Sequence, residues 1–467
     1  MRTHHLYGKH IHFIGIGGIG MSALARILLS RGARITGSDA HANQLTEDLN
    51  RHGAACFTKH RSEHVEGADL VIYSPAIPKS NCELRTAREK NIPILCRAQL
   101  LKLLARERDC VGIAGTHGKS TTSWLVGSML LEAGFDPTLL VGANIEALGS
   151  NCHSGHGRYL VAEVDESDGV FADMRTSLAV VTNIGHDHHD YYKSLHETEE
   201  HFLRYIDHSA AGLGAIVCAD NAGTLRTARR SRARILTYGT DNCMLRAHNI
   251  QLTGKGSQFE VEWLGSHLGE FRTPLLGRHN VLNSLAAIGA GLRLDVPVPV
   301  MAAALEKNHG VERRLTLRGE VDGIRVWEDY GHHPVEMCAT LQALRPAVSG
   351  RLHVVFQPHR FSRTLHLHED FGKALRLADH SIVTGIYAAS EKPIDGVTSK
   401  LIVDEAARYE NCDVEHMADK EFVPHRLSQL VEPGDGILLQ GAGDIHQLAQ
   451  PVLEALDSTT QTERNAG

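Results

Sequence analysis

The sequence predicts an α/β protein of three domains. From Ile11 onward, short apolar runs alternate with amphipathic stretches of roughly ten to fifteen residues, as in the βαβ units of a parallel sheet. This pattern starts again at CVGIAGTHGKST and once more at RVWEDYGHHP, so that three such regions follow one another along the chain. We therefore expect domains over residues 1–105, 106–313 and 314–467.

The first region begins with a strand, a glycine-rich turn and a helix. The apolar run IHFIGIG (11–17) predicts a buried strand, and MSALARILLSRG predicts a helix that ends at Gly32. The segments ARITGSD and DLVIYS (69–74) predict further strands of the same sheet. Together these elements indicate a doubly wound parallel sheet.

The middle and last regions repeat this alternation of strands and helices, with one interruption. The strands YLVAEVD (159–165) and LAVVTNI (178–184) each end in polar residues, and LHVVFQ, SIVTGIY and GILLQGAG predict the strands of the last region. Between them, residues 245–273 alternate apolar and polar side chains, as in QFEVEWL, which predicts a small antiparallel insert in the middle domain.

Composition excludes several classes of protein. The 467 residues are 42% hydrophobic and 22% charged, and their formal charge of −7 argues against general binding to nucleic acids or anionic membranes. No apolar run reaches the roughly 18 residues that span a bilayer, and the segment MRTHHLYGKHIHF lacks the apolar core of a secretory signal. The nine scattered cysteines contain no CxxC pair, which is typical of reduced thiols. We expect a cytoplasmic protein without membrane insertion.

The first glycine-rich turn carries Gly15, Gly17, Gly18 and Gly20 directly after a strand and at the start of a helix. Backbone N–H groups at such a turn bind a diphosphate, and Asp39 follows the next strand, where a dinucleotide fold holds a ribose hydroxyl. Taken alone, the pattern indicates NAD, but it does not distinguish a dinucleotide from another diphosphate nucleotide. An NAD-dependent oxidoreductase therefore remains an alternative from a different class.

The second glycine-rich turn is GTHGKST, residues 115–121. Lys119 is placed to neutralise the β- and γ-phosphates of ATP, and the hydroxyl of Ser120 or Thr121 is placed to meet Mg²⁺. The loop is shorter than the strict Walker A pattern, because position 113 is Ile. The strand, loop and helix around it nevertheless indicate ATP binding.

Acidic and histidine-rich segments follow two strands of the middle region. AEVDESD (162–168) ends one strand and NIGHDHHDYY (183–192) ends the next. Because parallel strands share one carboxyl edge with the GTHGKST loop, these side chains converge on the phosphates and could complete Mg²⁺ coordination. A zinc site in HDHHD, or a metal-sensing protein, is the rival interpretation.

These motifs, taken together, resemble a known family. GTHGKST, AEVDESD, TNI…DH…D, GRHNVLNSLAA, GVERR, EDYGHHP and QPHRFSRT occur in the order found in the Mur ligases, over about 450 residues. The resemblance implies three domains: an N-terminal Rossmann-like domain for UDP-N-acetylmuramate, a central P-loop ATPase domain and a C-terminal Rossmann-like domain. It also implies an ATP- and Mg²⁺-dependent amide ligase of peptidoglycan precursor synthesis, as monomer or homodimer.

GIGGIGMS, DYGHHP and QPHRFSRT resemble the family member that joins L-alanine to the lactyl carboxylate of UDP-N-acetylmuramate through an acyl phosphate. The alternative is the member that attaches the recycled tripeptide L-Ala-D-Glu-meso-diaminopimelate. It shares the ATP loop but normally lacks the QPHR-x-SRT run. No Ser/His/Asp or Cys/His constellation is needed, since the substrate carboxylate is itself the nucleophile.

The resemblance also implies roles for individual residues, motif by motif. Lys119, His188 and Arg363 are implied as catalytic, and Ser120, Glu163 and His188 as metal ligands. Arg363 is expected to hold the carboxylate of alanine through its guanidinium fork. The full implied contact set is Gly115, Thr116, His117, Gly118, Lys119, Ser120, Thr121, His279, Asn280, Asn283, Arg314 and Asp329 for ATP, Gly15, Gly17, Gly18, Gly20, Ser38 and Asp39 for the UDP-sugar, and Tyr330, His359 and Arg363 for the amino acid.

The sequence departs from the family pattern at a few positions. Gly185 stands where the family commonly has Glu, three residues before the implied metal ligand His188. Ser120 replaces the usual Thr and keeps the hydroxyl, and Glu328 replaces an Asp. The base that takes the ammonium proton of alanine stays open at this stage.

Overall fold

Three sheets, each flanked by helices, build the chain. The computed structural model describes residues 6–167, 169–185, 187, 191–389 and 391–466, with side chains as far as residue 458. The described residues form two compact units: one lies within residues 1–249, 259–271 and 282–310, and the other lies within residues 250–258, 272–281 and 311–467. The α/β class with mainly parallel sheets is the one predicted.

The first sheet is wholly parallel, in the order β3-β2-β1-β4-β5. The strand order reverses at β1, and the carboxyl end of β1 is therefore the expected ligand-binding crevice. Its elements are β1 (His10–Ile14), α1 (Ile19–Ser30), β2 (Arg34–Asp39), α2 (Gln44–Arg51), β3 (Ala55–Thr58), β4 (Leu70–Tyr73), α3 (Cys82–Glu89), β5 (Ile94–Cys96) and α4 (Arg97–Ala105).

The second sheet has ten strands. Its elements are β6 (Asp109–Ala114), α5 (Lys119–Glu132), β7 (Thr138–Ile145), β8 (Ser150–Ser154), β9 (Tyr159–Glu163), β10 (Leu178–Val181), α6 (Leu195–Asp207), β11 (Gly214–Cys218), α7 (Ala222–Ala228), β12 (Ile235–Gly239), β13 (Leu245–Thr253), β14 (Gly256–Trp263), β15 (Ser266–Thr273), α8 (Arg278–Arg293) and α9 (Val298–Glu306). Their order is β15-β14-β13-β12-β11-β10-β6-β9-β7-β8. Strand β8 pairs antiparallel with β7, an edge that the sequence pattern did not predict.

Strands β13, β14 and β15 are the predicted antiparallel insert. Two-residue turns join them, which is possible only between antiparallel neighbours. We call these three strands the meander. Its inward-facing side chains Phe259, Val261 and Phe271 are fully buried, whereas the alternate side chains face outward.

The third sheet has the order β16-β17-β21-β18-β19-β20, parallel except for the β16–β17 pair. Its elements are β16 (Thr316–Val321), β17 (Ile324–Asp329), α10 (Pro334–Leu344), β18 (Leu352–Phe356), α11 (Phe361–Leu375), β19 (His380–Val383), α12 (Lys400–Ala406), β20 (Val414–His416), α13 (Val423–Ser428), β21 (Gly436–Gln440) and α14 (Ala449–Ala466).

The first two sheets share one apolar core. Helix α1 packs against β7 and β8 of the second sheet, and Leu28, Leu140 and Cys152 belong to the same buried cluster. This packing fixes the two glycine-rich turns within one unit. Among the described residues, none of the helices has the length and apolar content needed to cross a bilayer.

Candidate active site

The first glycine-rich turn, residues 15–20, lies at the strand-order reversal of the first sheet. We call it the Gly15 loop. Gly18 is the N-cap of α1 and supplies no side-chain cap, so the first N–H groups of the helix stay available to a ligand. Gly15 has a φ of 80°, a left-handed conformation that favours glycine.

Polar side chains after β2 hold this loop in place. Asp39 accepts a hydrogen bond from the backbone N–H of Gly17 at 2.9 Å, and Asn43 donates to the Gly17 carbonyl at 3.0 Å. An added Cβ at position 17 would lie 2.9 Å from Asn43 Nδ2 and 3.0 Å from Asp39 Oδ2, which is too close for ordinary packing. A side chain at position 17 would therefore displace the two side chains that hold the loop.

A buried carboxylate supports the same loop from beneath. Ser38 is fully buried, and its hydroxyl donates to Glu83 at 2.5 Å, whereas its carbonyl accepts from the N–H groups of Gly15 and Ile16. The structure thus places the Ser38 side chain on Glu83. Burial would raise the pKa of Glu83, but hydrogen bonds from His12 and Ser38 outweigh it and lower the pKa to about 2.

The second glycine-rich turn, residues 115–121, connects β6 to α5. We call it the Gly115 loop. The carboxyl end of β10 braces it: Thr182 donates to the His117 carbonyl at 2.6 Å, and Asn183 Oδ1 accepts from the His117 N–H at 2.9 Å. The N–H of Gly185 donates to Thr116 Oγ1 at 2.8 Å. The loop geometry is therefore held by contacts that leave the helix N-terminus uncapped.

Two glycines of this loop have no room for a side chain. Gly115 has a φ of 139°, and a Cβ there would lie 2.1 Å from Thr182 Oγ1. Gly118 has a φ of 82°, and its Cβ would lie 2.5 Å from Asn283 Oδ1. Such a tight backbone leaves space for phosphate oxygens near the start of the helix.

Lys119, the first residue of α5, lies among carboxylates. Its ammonium contacts both oxygens of Glu166, at 2.9 and 3.0 Å, and donates to the Gly115 carbonyl at 2.5 Å. Burial alone would lower the pKa of Lys119, but Glu166, Glu163 and Asp165 outweigh it and raise the pKa. The lysine is therefore a fully charged cation at the mouth of the loop.

Arg97 connects the surroundings of the two loops. Its guanidinium pairs with Asp165 at 2.5 Å, and an added Cβ at Gly20 would lie 2.7 Å from Arg97 Nη1. Burial would raise the pKa of Asp165, but Arg97 and Lys119 hold that pKa well below its ordinary value. Arg97 thus lies against the Gly15 loop while it pairs with a carboxylate beside Lys119.

The implied metal ligands are placed partly within the described residues. Ser120 is buried at the start of α5, and Glu163, at the end of β9, accepts from the N–H of Gly142 at 2.7 Å. Hydroxyl and carboxylate oxygens are the hard donors that Mg²⁺ prefers, so this donor set fits that ion. His188 lies outside the described residues.

Helix α8 begins with the segment whose residues the resemblance implies for ATP binding. Asn280 donates to the Leu276 carbonyl at 2.9 Å, and Asn283 accepts from Thr122 at 3.3 Å beside Gly118. Burial, together with the positive charge of Arg314, lowers the pKa of His279 to about 4. Asn283 therefore lies at the Gly115 loop, and His279 is a neutral imidazole at ordinary pH.

Arg314, Asp329 and Tyr330 lie together in the second unit. The Tyr330 ring is faced by two guanidinium groups, Arg313 at 4.9 Å and Arg314 at 5.3 Å from its centre. Asp329 accepts from the N–H groups of Gly331 at 2.7 Å and Leu315 at 3.0 Å. Its carboxylate thus connects the backbone at Leu315 to the turn that follows Tyr330.

The third predicted group surrounds Arg363. Arg363 Nη1 donates to His359 Nδ1 at 3.2 Å, and the His359 ring lies 5.6 Å from that of His332 and stacks on Tyr387. Burial, with His332 and the neighbouring arginines, lowers the pKa of His359 to about 3, and burial lowers that of His332 to about 4. Two neutral imidazoles and one guanidinium therefore share this pocket.

Several residues of the site were not predicted from the sequence. Glu166 and Asp165 lie within AEVDESD, and strand-end position was the signal that pointed to that segment. Arg97 gave no signal, since an arginine at the start of a helix is ordinary. The bracing by Thr182 and Asn183 is visible only in the folded chain.

Comparison with known proteins assigns the family. Residues 10–109 match the model described as "Mur ligase family, catalytic domain", residues 113–291 the Mur ligase middle domain, and residues 313–443 the domain described as "Mur ligase, glutamate ligase domain". These matches cover most of the chain. The chain therefore belongs to the Mur ligase family, as the motifs predicted, and is a ligase.

Individual relatives are similar over nearly their whole length. A UDP-N-acetylmuramate–L-alanine ligase of Geobacter sp. (strain M21) is 40% identical over 98% of this chain and 100% of its own. One from Desulfatibacillum aliphaticivorans is 42% identical over 95% of this chain and 98% of its own.

Solved structures agree on the fold. The crystal structure of UDP-N-acetylmuramate-alanine ligase MurC from Thermotoga maritima superposes with a TM-score of 0.82 at 28% identity, over 97% of this chain and 100% of that one. A murein peptide ligase from Psychrobacter arcticus has a TM-score of 0.71 at 23% identity, over 96% and 99% of the two chains, which supports the fold alone.

Proposed function

We propose that this chain joins L-alanine to the lactyl carboxylate of UDP-N-acetylmuramate, with ATP converted to ADP and phosphate, in peptidoglycan precursor synthesis. The observation that carries the reaction class is Lys119 at the uncapped start of α5, facing carboxylates at the same sheet edge. The substrates are inferred from the curated relatives, which are about 40% identical along nearly the whole chain. The tripeptide ligase is the second candidate within the family.

The reaction needs two bond exchanges. A lactyl carboxylate oxygen attacks the γ-phosphorus of ATP, the bond to the β–γ bridging oxygen breaks, and ADP leaves with that electron pair. The amine of alanine then attacks the acyl carbon, an ammonium proton is lost, and phosphate leaves with the electrons of the C–O bond. The protein supplies position and positive charge for both steps.

The Gly115 loop is proposed to bind the phosphates of ATP. Gly118, Lys119, Ser120 and Thr121 supply the uncapped start of α5 and one ammonium. Gly115, Thr116 and His117 are proposed to shape the loop around the phosphates, since the N–H groups of Thr116 and His117 already donate to Asn183. Asn283 lies beside Gly118 and is proposed to contact the adjacent nucleoside. His279, Asn280, Arg314 and Asp329 keep their proposed roles in ATP binding. Lys119 must exchange its carbonyl and carboxylate contacts for phosphate oxygens, which carry more charge.

Mg²⁺ is proposed as the metal of this site. Ser120, Glu163 and His188 are its proposed protein ligands, and the oxygen donors of the first two fit that ion. When bound, Mg²⁺ neutralises charge on the phosphate oxygens during transfer. The side chains of this chain meanwhile orient the carboxylate and keep the phosphoryl group in line.

The Gly15 loop is proposed to hold the diphosphate of the UDP-sugar. Gly15, Gly17 and Gly18 are proposed to shape the loop, because their N–H groups already donate to Ser38, Asp39 and Gly15. Gly20 lies in the uncapped first turn of α1, which is proposed to face the diphosphate. Ser38 contributes through its carbonyl, since its hydroxyl is held by Glu83. We include Arg97 in this proposal as a positioning residue between the two loops.

The amino acid is proposed to bind at Tyr330, His359 and Arg363. A guanidinium fork binds the alanine carboxylate in two hydrogen bonds and keeps it away from the acyl carbon. His359 and His332 are neutral, and their lowered pKa values make both imidazoles weak bases for the ammonium proton. We therefore propose that they shape the amino-acid site beside Arg363 and do not serve as its general base.

Three further statements belong to the proposal. The functional domains are taken as residues 1–105 for the UDP-sugar, 106–313 for ATP and 314–467 for the amino acid. The protein is proposed to act in the cytoplasm, where its nucleotide substrates are made, and as a monomer or homodimer.

One assay tests the proposal. Phosphate release from ATP and Mg²⁺ is measured with UDP-N-acetylmuramate and either L-alanine or the L-Ala-D-Glu-meso-diaminopimelate tripeptide. Release that requires both the UDP-sugar and L-alanine is the expected result. Release with the tripeptide alone would replace the amino-acid substrate, and NADH fluorescence changes without phosphate release would favour an oxidoreductase.

A further inference from the structure

Three side chains on the outer face of the meander lie close together, and each comes from a different strand. His248 is on β13, Glu260 on β14 and His267 on β15. Their ligand atoms all lie within 4.8 Å of one another, and within the described part of the chain no other group of His, Cys, Asp or Glu residues meets that condition. None of the three has a role in the proposed ligase reaction.

The carboxylate of this group is held in position by a neighbour. Asn249 has a φ of 50° and donates from its Nδ2 to Glu260 Oε1 at 2.9 Å, while Glu260 Oε2 lies 3.8 Å from His267 Nδ1. A hydrogen bond to one carboxylate oxygen leaves the other free to coordinate and fixes its direction. The half-buried His248 approaches from the opposite neighbouring strand.

The local charge also favours a cation. Glu262 lies two residues from Glu260, on the same face of β14, and its charge is paired with Arg246 at 2.6 Å. Glu260 therefore contributes a negative charge among these side chains. A divalent ion would be stabilised there without displacing another cation.

We propose that His248, Glu260 and His267 form a binding site for a divalent first-row transition metal, with Zn²⁺ as the preferred ion. Two imidazoles and one carboxylate are a common set of three protein ligands for Zn²⁺, with solvent in the fourth position. Tetrahedral ligands lie about 3.3 Å apart around Zn²⁺, at ligand distances of about 2.0–2.1 Å. The present separations, which are at most 4.8 Å, must shorten to that value when the ion binds.

The role of this site is structural. Strand β13 is four strands from β6, which leads into the Gly115 loop, so the two lie about 19 Å apart at about 4.8 Å per strand. The metal cannot take part in phosphoryl transfer at that distance. It connects three consecutive strands instead. Because the ion binds the folded meander and not the unfolded chain, it raises the stability of the meander.

The test uses the full chain, purified without a histidine tag and freed of metal with a chelator. Co²⁺ is titrated and its tetrahedral absorption is recorded, and Zn²⁺ affinity is measured by competition with a chromophoric chelator. The variant His248→Ala/His267→Ala should bind one equivalent fewer than the unaltered chain. Any Zn²⁺ that still binds at Glu260 in the variant should be held more weakly by tenfold or more, as expected when two of three ligands are lost.

The matched control is His153→Ala/His156→Ala. These two histidines flank Asp136 at 3.0 and 3.5 Å, so the control removes the same number of histidines beside one carboxylate. It should keep the equivalent that the meander variant loses. Both variants should keep ligase activity, because none of these residues contacts the Gly15 or Gly115 loop.

Equal metal content in the unaltered chain and in the meander variant would overturn the proposal. If the double variant does not fold, Glu260→Gln decides, since it keeps the shape and the Asn249 contact but removes a ligand charge. A Zn²⁺-dependent rise in the melting temperature of the unaltered chain, absent in Glu260→Gln, is the expected result. An equal rise in both would contradict it.

Discussion

The Gly15 and Gly115 loops have similar backbone structures and are proposed to bind different substrates. Each follows a buried parallel strand and begins a helix that has no side-chain cap, so both present free N–H groups to an anion. They differ in charge: α1 has no basic residue in its first turn, whereas α5 begins with Lys119.

The difference in charge predicts how the two loops divide the proposed reaction. The Gly15 loop, whose own residues include no cation, is proposed to hold a diphosphate that stays intact, and Asp39 shapes this loop through Gly17. The Gly115 loop, with its partly buried lysine, is proposed to stabilise charge that develops during transfer. Substitutions in the two loops should therefore separate by substrate and by kinetic constant.

The largest effect is expected from Lys119→Met, which removes the cation of the Gly115 loop. We expect kcat to fall by about 10³, because charge on the transferring phosphoryl group loses its fixed partner, with little change in affinity for UDP-N-acetylmuramate. Phosphate-release kinetics and a direct binding measurement check this. Lys307→Met, at an exposed position, is the control, and an equal loss of UDP-sugar affinity would contradict the separation.

Gly118→Ala tests the shape of the same loop. At a φ of 82° an alanine costs about 1–2 kcal/mol, and its Cβ would also meet Asn283. We expect the KM for ATP to rise about tenfold and the melting temperature to fall. Gly134→Ala carries a similar strain, at a φ of 75°, with nothing within 4 Å, so it should lower stability and leave the KM for ATP unchanged.

Arg97→Gln tests whether the loops are independent. Since Arg97 lies against Gly20 and pairs with Asp165, we expect KM to rise about fivefold for both UDP-N-acetylmuramate and ATP, roughly 1 kcal/mol each. Steady-state kinetics with each substrate varied in turn measures this. Arg88→Gln is the exposed control, and a change in one KM only would show that the loops act separately.

The smallest kinetic effect is expected from Glu83→Gln beneath the Gly15 loop. The pKa of Glu83 is about 2 in the folded chain against 4.5 ordinarily, so its charge stabilises the fold above pH 4.5, and that stability is lost as the pH falls toward 2. Urea unfolding of the variant should therefore show lower stability at pH 7 and a weaker loss on acidification, with KM for the UDP-sugar raised about twofold. Unchanged curves at both pH values would contradict this, and Glu63→Gln is the exposed control.

Much of the fold could be predicted, because buried parallel strands are read directly from short apolar runs. The edge strands escaped prediction: β8 has the sequence SNCHS, which shows no apolar run, and its pairing with β7 depends on packing against α1. Partition into two compact units likewise depends on contacts between distant segments.

For the site as well, the sequence predicts local motifs but not contacts between distant residues. Lys119 was predicted because its motif is local, whereas the Arg97–Asp165 pair joins residues 68 positions apart, a separation at which no sequence pattern operates. Ser38 was predicted at the UDP-sugar, yet its hydroxyl is buried on Glu83, since the face that a strand residue occupies is set by the register of its sheet. His188 stays a prediction.

The crowding around Gly115 and Gly118 has a consequence for antibacterial resistance. Thr182 and Asn283 occupy the space where any side chain at these positions would begin, so a substitution of either glycine that weakens an inhibitor of this loop also distorts the loop. A compound that binds the backbone N–H groups at the start of α5 would therefore meet few routes to resistance at its point of contact.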